Sequence, residues 1–369
     1  MLLNPISTPV SPAPPAQDLL ALLGANPPVT VIQTNQDLKQ ILGMNSTRNL
    51  VYTGKNKLAH YSILRIKKKD GTWRKLHNPD NQMRSIQYRI LTKLLNKLVL
   101  PEYVYAFERD RNIPTMAALH VNKYCIISID IKDFFHSIRQ TTLFSILQRL
   151  GFGDSPARTL SELCTYKAFV PQGALTSPKI SNLITSVTFG PEIQTYCREK
   201  QFTLTIYADD VTISTNDRTI SPRHVIQDLT RIIQTYGFRI NRKKTKIMFR
   251  GSRQYVCGAV VNAKVNLIVK ERKKLRAIIH NVTRNGIEAE AVKFGSDPSK
   301  FLNYLRGRVN WFRQLNPVLG QKYFDKLKTY LLIVKKQAEA EAEVAILYKA
   351  YMEEINGVIL DEPVTLPWE

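Results

Sequence analysis

The sequence has few cysteines and no long apolar run, and both shortages exclude familiar classes of protein. Its four cysteines lie far apart, with no CxxC pair and no cluster of histidines: Cys125, Cys164, Cys197 and Cys257. This pattern argues against a disulfide framework or a structural zinc site and favours a reducing cytosol. No apolar run approaches the ~20 residues that span a bilayer, and the first residues lack the basic start of a signal peptide. We therefore expect a cytoplasmic protein without a membrane partner.

Acidic residues are also scarce. The 369 residues include 53 Lys and Arg against 30 Asp and Glu, which gives a net charge of +23. Such an excess favours a polyanionic partner, because Lys and Arg release counterions when they neutralise phosphates. A basic protein without a specialised ligand is the alternative that charge alone leaves open.

Basic residues are missing from the N-terminal stretch. The first 28 residues contain seven prolines, and no Lys or Arg precedes Lys39. We interpret residues 1–44 as a Pro-rich N-terminal extension, because such a composition favours extended chain. Its role is open between a simple tail and a docking peptide for a partner.

From Tyr61 onward, strand and helix patterns predict an α+β fold. The segment SILRIKKKDGTWRKLHNP predicts two strands around a Lys-Asp-Gly turn, and Ile86 begins a helical pattern that Pro101 ends. YCIISIDI is a buried strand by its β-branched content, and FTLTIYADDVTIST predicts a hairpin whose turn holds Ala208-Asp209-Asp210. Beyond Lys270 the pattern is helical and basic. Mixed α+β, with the helices late in the chain, is the expected class.

The placement of three aspartates predicts a phosphoryl-transfer site. Asp130 ends a buried strand, and Asp209 and Asp210 lie at the tip of a neighbouring hairpin. Two-metal phosphoryl transfer needs carboxylates that hold two Mg²⁺ ions ~3.5–4 Å apart, and Mg²⁺ prefers hard oxygen ligands. Two adjacent Asp in an isolated turn are usually turn chemistry, which is the competing interpretation. Apolar strands on both sides of the turn favour the metal site.

Four motifs, in order and with similar gaps, resemble those of reverse transcriptases across roughly residues 60–315. They are Asp130-Ile131-Lys132-Asp133-Phe134-Phe135, Pro171-Gln172-Gly173-Ala174 with Ser177-Pro178, Tyr207-Ala208-Asp209-Asp210, and Gly237-Phe238 with Asn241 and Lys244-Thr245. The resemblance implies a right-hand polymerase with fingers, an antiparallel palm sheet and a helical thumb. On this basis residues 45–122 would form the fingers and the start of the palm. The palm would span 123–267, with fingers helices at about 139–170, and the thumb and a C-terminal helix would span 268–369.

The resemblance also implies roles for individual residues. Asp130, Asp209 and Asp210 would bind two catalytic Mg²⁺ ions. The nucleotide-binding residues would be Lys68, Arg74, Asp133, Phe135, Gln172, Gly173 and Lys244. Of these, Lys68 and Arg74 belong to a hairpin that closes on the triphosphate, and Phe135 would exclude a ribose 2′-hydroxyl. Because the side chains of Phe134 and Phe135 cannot both be buried on one side, we expect one of them to face the site.

Three further segments resemble retron reverse transcriptases. Met116-Ala117-Ala118-Leu119-His120 is similar to their NAxxH segment, and Val256-Cys257-Gly258 is similar to their VTG segment at the primer grip. Met116 and Cys257 stand where the family has Asn and Thr. Leu305-Arg306-Gly307 through Trp311 is similar to a thumb. The RNA- or primer-binding candidates are therefore His120, Val256, Cys257, Gly258, Arg306 and Trp311, with a packing role for His120 as the alternative.

A retron enzyme would bind a structured noncoding RNA from its own locus and use dNTPs to copy part of it. The product would be a covalently linked RNA–DNA hybrid that acts with an effector protein in antiphage defence. Another bacterial defence reverse transcriptase with different priming is the nearest alternative. A group II intron maturase would need further modules, for which little chain follows the thumb. A catalytically idle RNA-binding scaffold is the alternative from a different class, and the intact carboxylates argue against it.

Overall fold

The computed structural model describes residues 32–68 and 71–356 and divides the chain into two compact units, Met1–Val265 and Asn266–Glu369. The first unit is mixed α and β, and the second is helical. The predicted α+β class is therefore confirmed. The second unit begins two residues before the boundary at 268 that the sequence predicts for the thumb.

The first unit alternates short helices and strands. Its helices are α1 (Asn35–Leu42), α2 (Thr47–Lys55), α3 (Asn81–Lys93), α4 (Ile113–Ala118), α5 (Phe134–Ser137), α6 (Gln140–Arg149), α7 (Asp154–Leu163), α8 (Ser177–Val187), α9 (Phe189–Glu199) and α10 (Pro222–Thr235). Its strands are β1 (Tyr61–Lys67), β2 (Trp73–Pro79), β3 (Cys125–Asp130), β4 (Thr203–Tyr207), β5 (Asp210–Thr215), β6 (Lys246–Phe249), β7 (Tyr255–Val256) and β8 (Ala259–Val260). Single turns of 3₁₀-helix span Lys57–His60 and Leu95–Lys97.

A four-stranded antiparallel sheet in the order β4-β5-β3-β6 forms the centre of this unit. Paired residues share a face of a sheet, so the register separates its two sides. One face carries Asp130 opposite Asp210 and Ser128 opposite Thr212. The other carries Ile127 and Ile213, which belong to the same buried cluster as the apolar residues of α9 and α10. The face of the sheet that carries the aspartates is therefore backed by the hydrophobic core on the opposite face.

Residues 32–44 correct one sequence-based boundary. They were expected to belong to the Pro-rich extension, but Ile32, Leu38 and Leu42 are completely buried in the main core. Thr34 and Asp37 form a capping box, in which the side chain of each accepts a hydrogen bond from the backbone amide of the other. This cap explains why α1 begins just after the proline-rich segment. The rest of the predicted extension, residues 1–31, lies outside the described residues.

The helix predicted to run to Pro101 is shorter in the structure. α3 ends at Lys93, and a 3₁₀ turn at Leu95–Lys97 follows. Leu98 is still buried, so the apolar repeat continues into the core beyond the point where the helix ends. The strand pair around the Lys-Asp-Gly turn, the YCIISIDI strand and the Asp209-Asp210 hairpin are confirmed as β1–β2, β3 and β4–β5.

The second unit consists of the helices α11 (Val269–Lys293), α12 (Pro298–Leu315) and α13 (Pro317–Asn356). α11 is interrupted at Gly286, whose φ of 85° is not helical. Phe301, Leu305 and Phe312 on α12 are fully buried within this unit. Of the helices that the structure describes, none combines the length and apolar character needed to cross a membrane.

Candidate active site

The three predicted carboxylates lie at the ends of two neighbouring strands. Asp130, the last residue of β3, is the direct cross-strand partner of Asp210, the first residue of β5. Asp209 lies in the two-residue turn between β4 and β5, where Ala208 adopts a φ of 54°. The Asp209 carbonyl accepts a 2.7 Å hydrogen bond from the Ile131 amide, which ties the turn to the end of β3. The register therefore brings Asp130, Asp209 and Asp210 together, as the sequence predicts.

Two hydroxyl groups hold the carboxylate of Asp210. Ser128 Oγ donates to Asp210 Oδ1 at 2.9 Å, and Thr212 Oγ1 donates to the same oxygen at 3.4 Å. Neither residue is among the candidates that the motifs predict. The alternation of side chains along a strand could have identified them. Ser128 is two residues from Asp130 on β3, and Thr212 is two residues from Asp210 on β5, so each lies on the same face as its aspartate.

Burial and like charge disfavour the ionised forms of two of these carboxylates. The pKa of Asp209 is raised by burial and by the charge of Asp130, and Lys244 and Arg74 oppose that rise. The pKa of Asp210 is raised by burial and by both other aspartates, against the hydrogen bond from Ser128. Repulsion among half-buried anions is relieved by a cation, so this cluster favours positively charged ligands.

Lys244 supplies a positive charge within the cluster. Its Nζ donates to Asp130 Oδ1 at 2.8 Å, and this hydrogen bond raises the pKa of Lys244. The carboxylate oxygens match the hard ligands that Mg²⁺ prefers. Within residues 32–68 and 71–356, however, no three His, Cys, Asp or Glu side chains converge in the arrangement of a metal site. The carboxylate oxygens are suitable ligands for a divalent cation. In this structure the charge of Asp130 is instead neutralised by Lys244.

The two adjacent phenylalanines have different environments. Phe134 is buried among the rings of Phe189 and Phe238, whereas Phe135 is half-buried at the edge of the core. Phe135 is thus the more accessible ring of the pair. Asp133 is exposed and takes a left-handed conformation, with a φ of 48°, at the start of α5.

Gln172 and Gly173 lie against strand β2. The carbonyl of Gln172 accepts a 2.7 Å hydrogen bond from the amide of His77. Gly173 has a φ of 116°, and a Cβ there would lie 2.7 Å from the carbonyl oxygen of His77. Glycine is required at this position because the backbone of β2 approaches so closely. This contact joins the Pro-Gln-Gly segment to the β1–β2 hairpin.

The basic residues of the β1–β2 hairpin are exposed. Lys68 and Arg74 both lie in solvent, and the Lys68 amide donates to the Thr72 carbonyl at 2.7 Å to close the hairpin. The charge of Arg74 lowers the pKa of Asp209, so Arg74 lies within electrostatic reach of the carboxylates. Lys69 and Asp70 of the predicted turn lie outside the described residues.

The β7–β8 hairpin brings a thiol to the carboxylates. Cys257 and Gly258 form its two-residue turn, with φ values of 44° and 86°, as a type I′ turn requires. Cys257 Sγ lies 3.9 Å from Asp210 Oδ2, and burial together with the aspartates raises the pKa of this thiol. Val256 is almost completely buried, so its side chain does not form the predicted RNA or primer contact. Only the turn of the Val-Cys-Gly segment is accessible.

The assignment of His120 to RNA binding also needs correction. His120 is completely buried, and its ring nitrogens bond to Ser214 Oγ at 2.7 Å and Thr205 Oγ1 at 2.8 Å. Burial lowers the pKa of His120 to about 3, so the ring is neutral. The packing role, given as the alternative, describes His120, which joins β4 to β5 through these two hydroxyl groups.

The remaining candidates lie on α12 in the second unit. Arg306 is exposed and Trp311 is half-buried. Both positions leave part of the side chain available for a ligand, and their role in RNA binding stays a prediction.

An antiparallel sheet that presents three aspartates at the ends of β3 and β5, with a basic hairpin in electrostatic reach, defines the class of nucleotidyl-transferring polymerases. Comparison with known proteins narrows the class. Residues 66–304, more than half of the chain, match the family described as reverse transcriptase (RNA-dependent DNA polymerase). The chain therefore belongs to the reverse transcriptase family. It is similar to several curated retron reverse transcriptases.

Two of these relatives illustrate the similarity. The chain is 30% identical over 290 residues to the retron Mx65 reverse transcriptase of Myxococcus xanthus, covering 74% of this chain and 65% of that protein. It is 32% identical over 245 residues to the retron Ec86 reverse transcriptase of Escherichia coli, covering 65% of this chain and 74% of that protein. A solved structure of telomerase from Candida albicans with a telomeric RNA fragment aligns at a TM-score of 0.43 and 12% identity, covering 73% of this chain and 63% of that chain.

Proposed function

We propose that this protein is an RNA-directed DNA polymerase that copies part of a cognate structured noncoding RNA into DNA. The observation that carries the proposal is the convergence of Asp130, Asp209 and Asp210 at one end of the palm sheet. Membership in the reverse transcriptase family and similarity to retron enzymes support the RNA template and the dNTP substrates.

The carboxylates would hold two Mg²⁺ ions, which supply electrostatic stabilisation of the transferring phosphoryl group when bound. Ser128 and Thr212 fix the orientation of Asp210 for this purpose. Asp209 has more freedom, because it lies in the turn and its side chain accepts no bond from another residue in the described network. Lys244 forms an ion pair with Asp130. When substrate binds, the Lys244 ammonium would leave Asp130 and pair with a phosphate group instead.

Basic residues on the β1–β2 hairpin would bind the triphosphate. Lys68 and Arg74 are exposed, and a lysine charge together with an arginine fork suits a polyphosphate. Asp133 would lie near this triphosphate. Gln172 and Gly173 contact strand β2 of the hairpin and would pack against the nucleotide. Phe135, the accessible ring of the Phe134-Phe135 pair, would contact the sugar and select deoxyribose by steric exclusion.

The retron context supplies the finer proposal. Synthesis would start from a 2′-hydroxyl of a guanosine in the same RNA, and the product would be a covalently linked RNA–DNA hybrid. Cys257, Gly258, Arg306 and Trp311 would contact the RNA or the primer. With an effector protein of the same locus, the hybrid would act in antiphage defence. The names of the relatives and the net charge of +23 support a nucleic-acid complex of this kind.

Purification of the protein expressed with the DNA that flanks its gene tests this proposal. We expect one small nucleic acid to co-purify, to be shortened by RNase and by DNase in different ways, and to separate into two strands with a debranching enzyme. The Asp210→Asn variant should carry the RNA alone. Heterogeneous RNA without attached DNA from the active protein would contradict the retron assignment and favour another defence reverse transcriptase. RNA binding without any DNA synthesis would instead indicate an idle scaffold.

A further inference from the structure

Phe107 is an exposed aromatic residue in a strained backbone conformation. Its side chain is 52% exposed, and its φ is 60°. A bulky residue rarely adopts positive φ, and the cost is on the order of 1 kcal/mol. Neither burial of the ring nor backbone preference explains why Phe stands here. Strain of this kind at a rigidly held position indicates a functional constraint.

The segment on both sides of Phe107 is firmly held. Before it, the Tyr105 amide donates to the Ile206 carbonyl of β4 at 2.9 Å. After it, Glu108 accepts from Lys179 Nζ at 2.8 Å and from Asn182 Nδ2 at 3.0 Å. The Lys179–Glu108 pair is largely buried, so it is hard to break. The chain therefore presents the Phe107 ring from a fixed frame.

The ring of Phe107 lies beside the catalytic hairpin. Its centroid is 6.3 Å from that of Tyr207, with an angle of 41° between the ring planes. Tyr207 is the cross-strand partner of Asp210, so the two rings lie on the sheet face that carries the carboxylates. Tyr207 is itself half-buried. Together the rings form a partly exposed aromatic surface next to the proposed reaction centre.

We propose that Phe107 and Tyr207 form a stacking surface for the terminal nucleotides of the growing strand. This inference rests on the proposed polymerase function, because the growing strand is the one whose end must reach the carboxylates. A triphosphate needs cations, which Lys68, Arg74 and Lys244 provide, whereas two neutral rings offer a flat face for a base or sugar. Stacking tolerates any base, as a template-copying enzyme requires.

Equilibrium binding of a labelled DNA primer on an RNA template tests the role of the ring. We expect Phe107→Ala and Phe107→Gly to weaken binding by about tenfold, which corresponds to the loss of one stacked base. Phe107→Tyr should retain wild-type affinity. Tyr52→Ala, which removes a 64% exposed ring from helix α2, should leave it unchanged. Unchanged affinity in both the Ala and Gly variants would overturn the proposal.

The two truncations also separate a contact from a purely structural role. Glycine accepts positive φ without strain, so Phe107→Gly should be at least as thermally stable as Phe107→Ala. If Phe107 contacts nucleic acid, both variants lose affinity equally whatever their melting temperatures. Loss of affinity that follows loss of stability, with the glycine variant recovering both, would show that the ring only supports the fold.

An abasic site in one strand at a time identifies the strand that is stacked. In the wild type, an abasic nucleotide at the primer end should weaken binding about tenfold, and in Phe107→Ala it should cost little more. Coupling of Phe107 to an abasic site in the template would overturn the assignment to the growing strand. Binding is measured in the absence of synthesis, so the two proposals can fail separately. A protein that bound this duplex normally but never extended the primer would contradict the proposed polymerase function, while the binding data would still test the contact of Phe107 with the primer end.

Discussion

Two antiparallel hairpins of this protein carry opposite charges and are held in opposite ways. The β1–β2 hairpin is a two-stranded sheet in which most of β1 is exposed, and it presents Lys68 and Arg74. The β4–β5 hairpin lies within the four-stranded sheet, its strands are mostly buried, and it presents Asp209 and Asp210. Packing thus fixes the acidic half of the site, whereas the basic half depends on a hairpin with little packing of its own. The difference fits a rigid carboxylate site and a basic hairpin that can follow its ligand.

Removing a carboxylate from the rigid hairpin should have the largest effect. We expect Asp209→Asn and Asp210→Asn to reduce DNA synthesis by roughly a thousandfold or more, because each removes a proposed metal ligand and no core packing. Primer extension with Mg²⁺ measures the loss, and a thermal melt should show a fold at least as stable as the wild type. Residual synthesis within about tenfold of the wild type would rule out the metal-ligand assignment.

Removing a charge from the exposed hairpin should have the next largest effect. We expect Arg74→Ala to lower kcat/KM for dNTPs by roughly 100-fold while RNA affinity stays near the wild-type value. The matched control is Arg65→Ala. Arg65 pairs with Lys75, whereas Arg74 pairs with Ile66 in the next register position, so the two arginines lie on opposite faces of the same hairpin. Equal losses in both variants, or equal loss of RNA binding and synthesis in Arg74→Ala, would contradict a triphosphate role.

The choice between ribonucleotides and deoxyribonucleotides tests whether Phe135, at the edge of the core, contacts the substrate. We expect Phe135→Ala to increase the preference for ribonucleotides over deoxyribonucleotides by roughly tenfold, because the ring would no longer collide with the 2′-hydroxyl. The ratio of kcat/KM for the two substrates measures this change. Phe134→Leu, in the buried neighbour, should lower stability without changing the ratio. An unchanged ratio in Phe135→Ala would place that ring in the core instead.

The smallest expected effect is on the pH dependence of stability, through His120, which links the strands of the β4–β5 hairpin. Folding lowers the pKa of His120 to about 3, so the unfolded chain takes up a proton on His120 that the folded chain excludes. The stability that His120 contributes is therefore complete above its unfolded pKa and is lost as the pH falls. Between about pH 7.5 and about pH 5 the wild type should lose ~2 kcal/mol that His120→Gln does not lose. Denaturant unfolding at both pH values measures the difference, and parallel pH profiles for the two proteins would exclude His120 as the cause.

Local patterns predicted much of the fold and of the site. β-branched runs predict β3, β4 and β5, and the position of the aspartates at the ends of these runs predicts that they share one site. The same reasoning misplaced His120 and Val256, because a short motif does not show which way a side chain points. It also assigned residues 32–44 to an extension, since the burial of Ile32, Leu38 and Leu42 depends on helices far away in the chain.

By itself, the sequence determined the class of the protein, the strands β3, β4 and β5 and the three carboxylates of the candidate site, because each depends on residue types at fixed short spacings. Only the tertiary structure decided what holds those carboxylates. Ser128 meets Asp210 through cross-strand pairing, and Cys257 meets it through a second hairpin. Phe107 meets Tyr207 through a buried ion pair and a backbone contact with β4. These contacts join residues 47 to 101 positions apart, and no local spacing in the sequence encodes such distances.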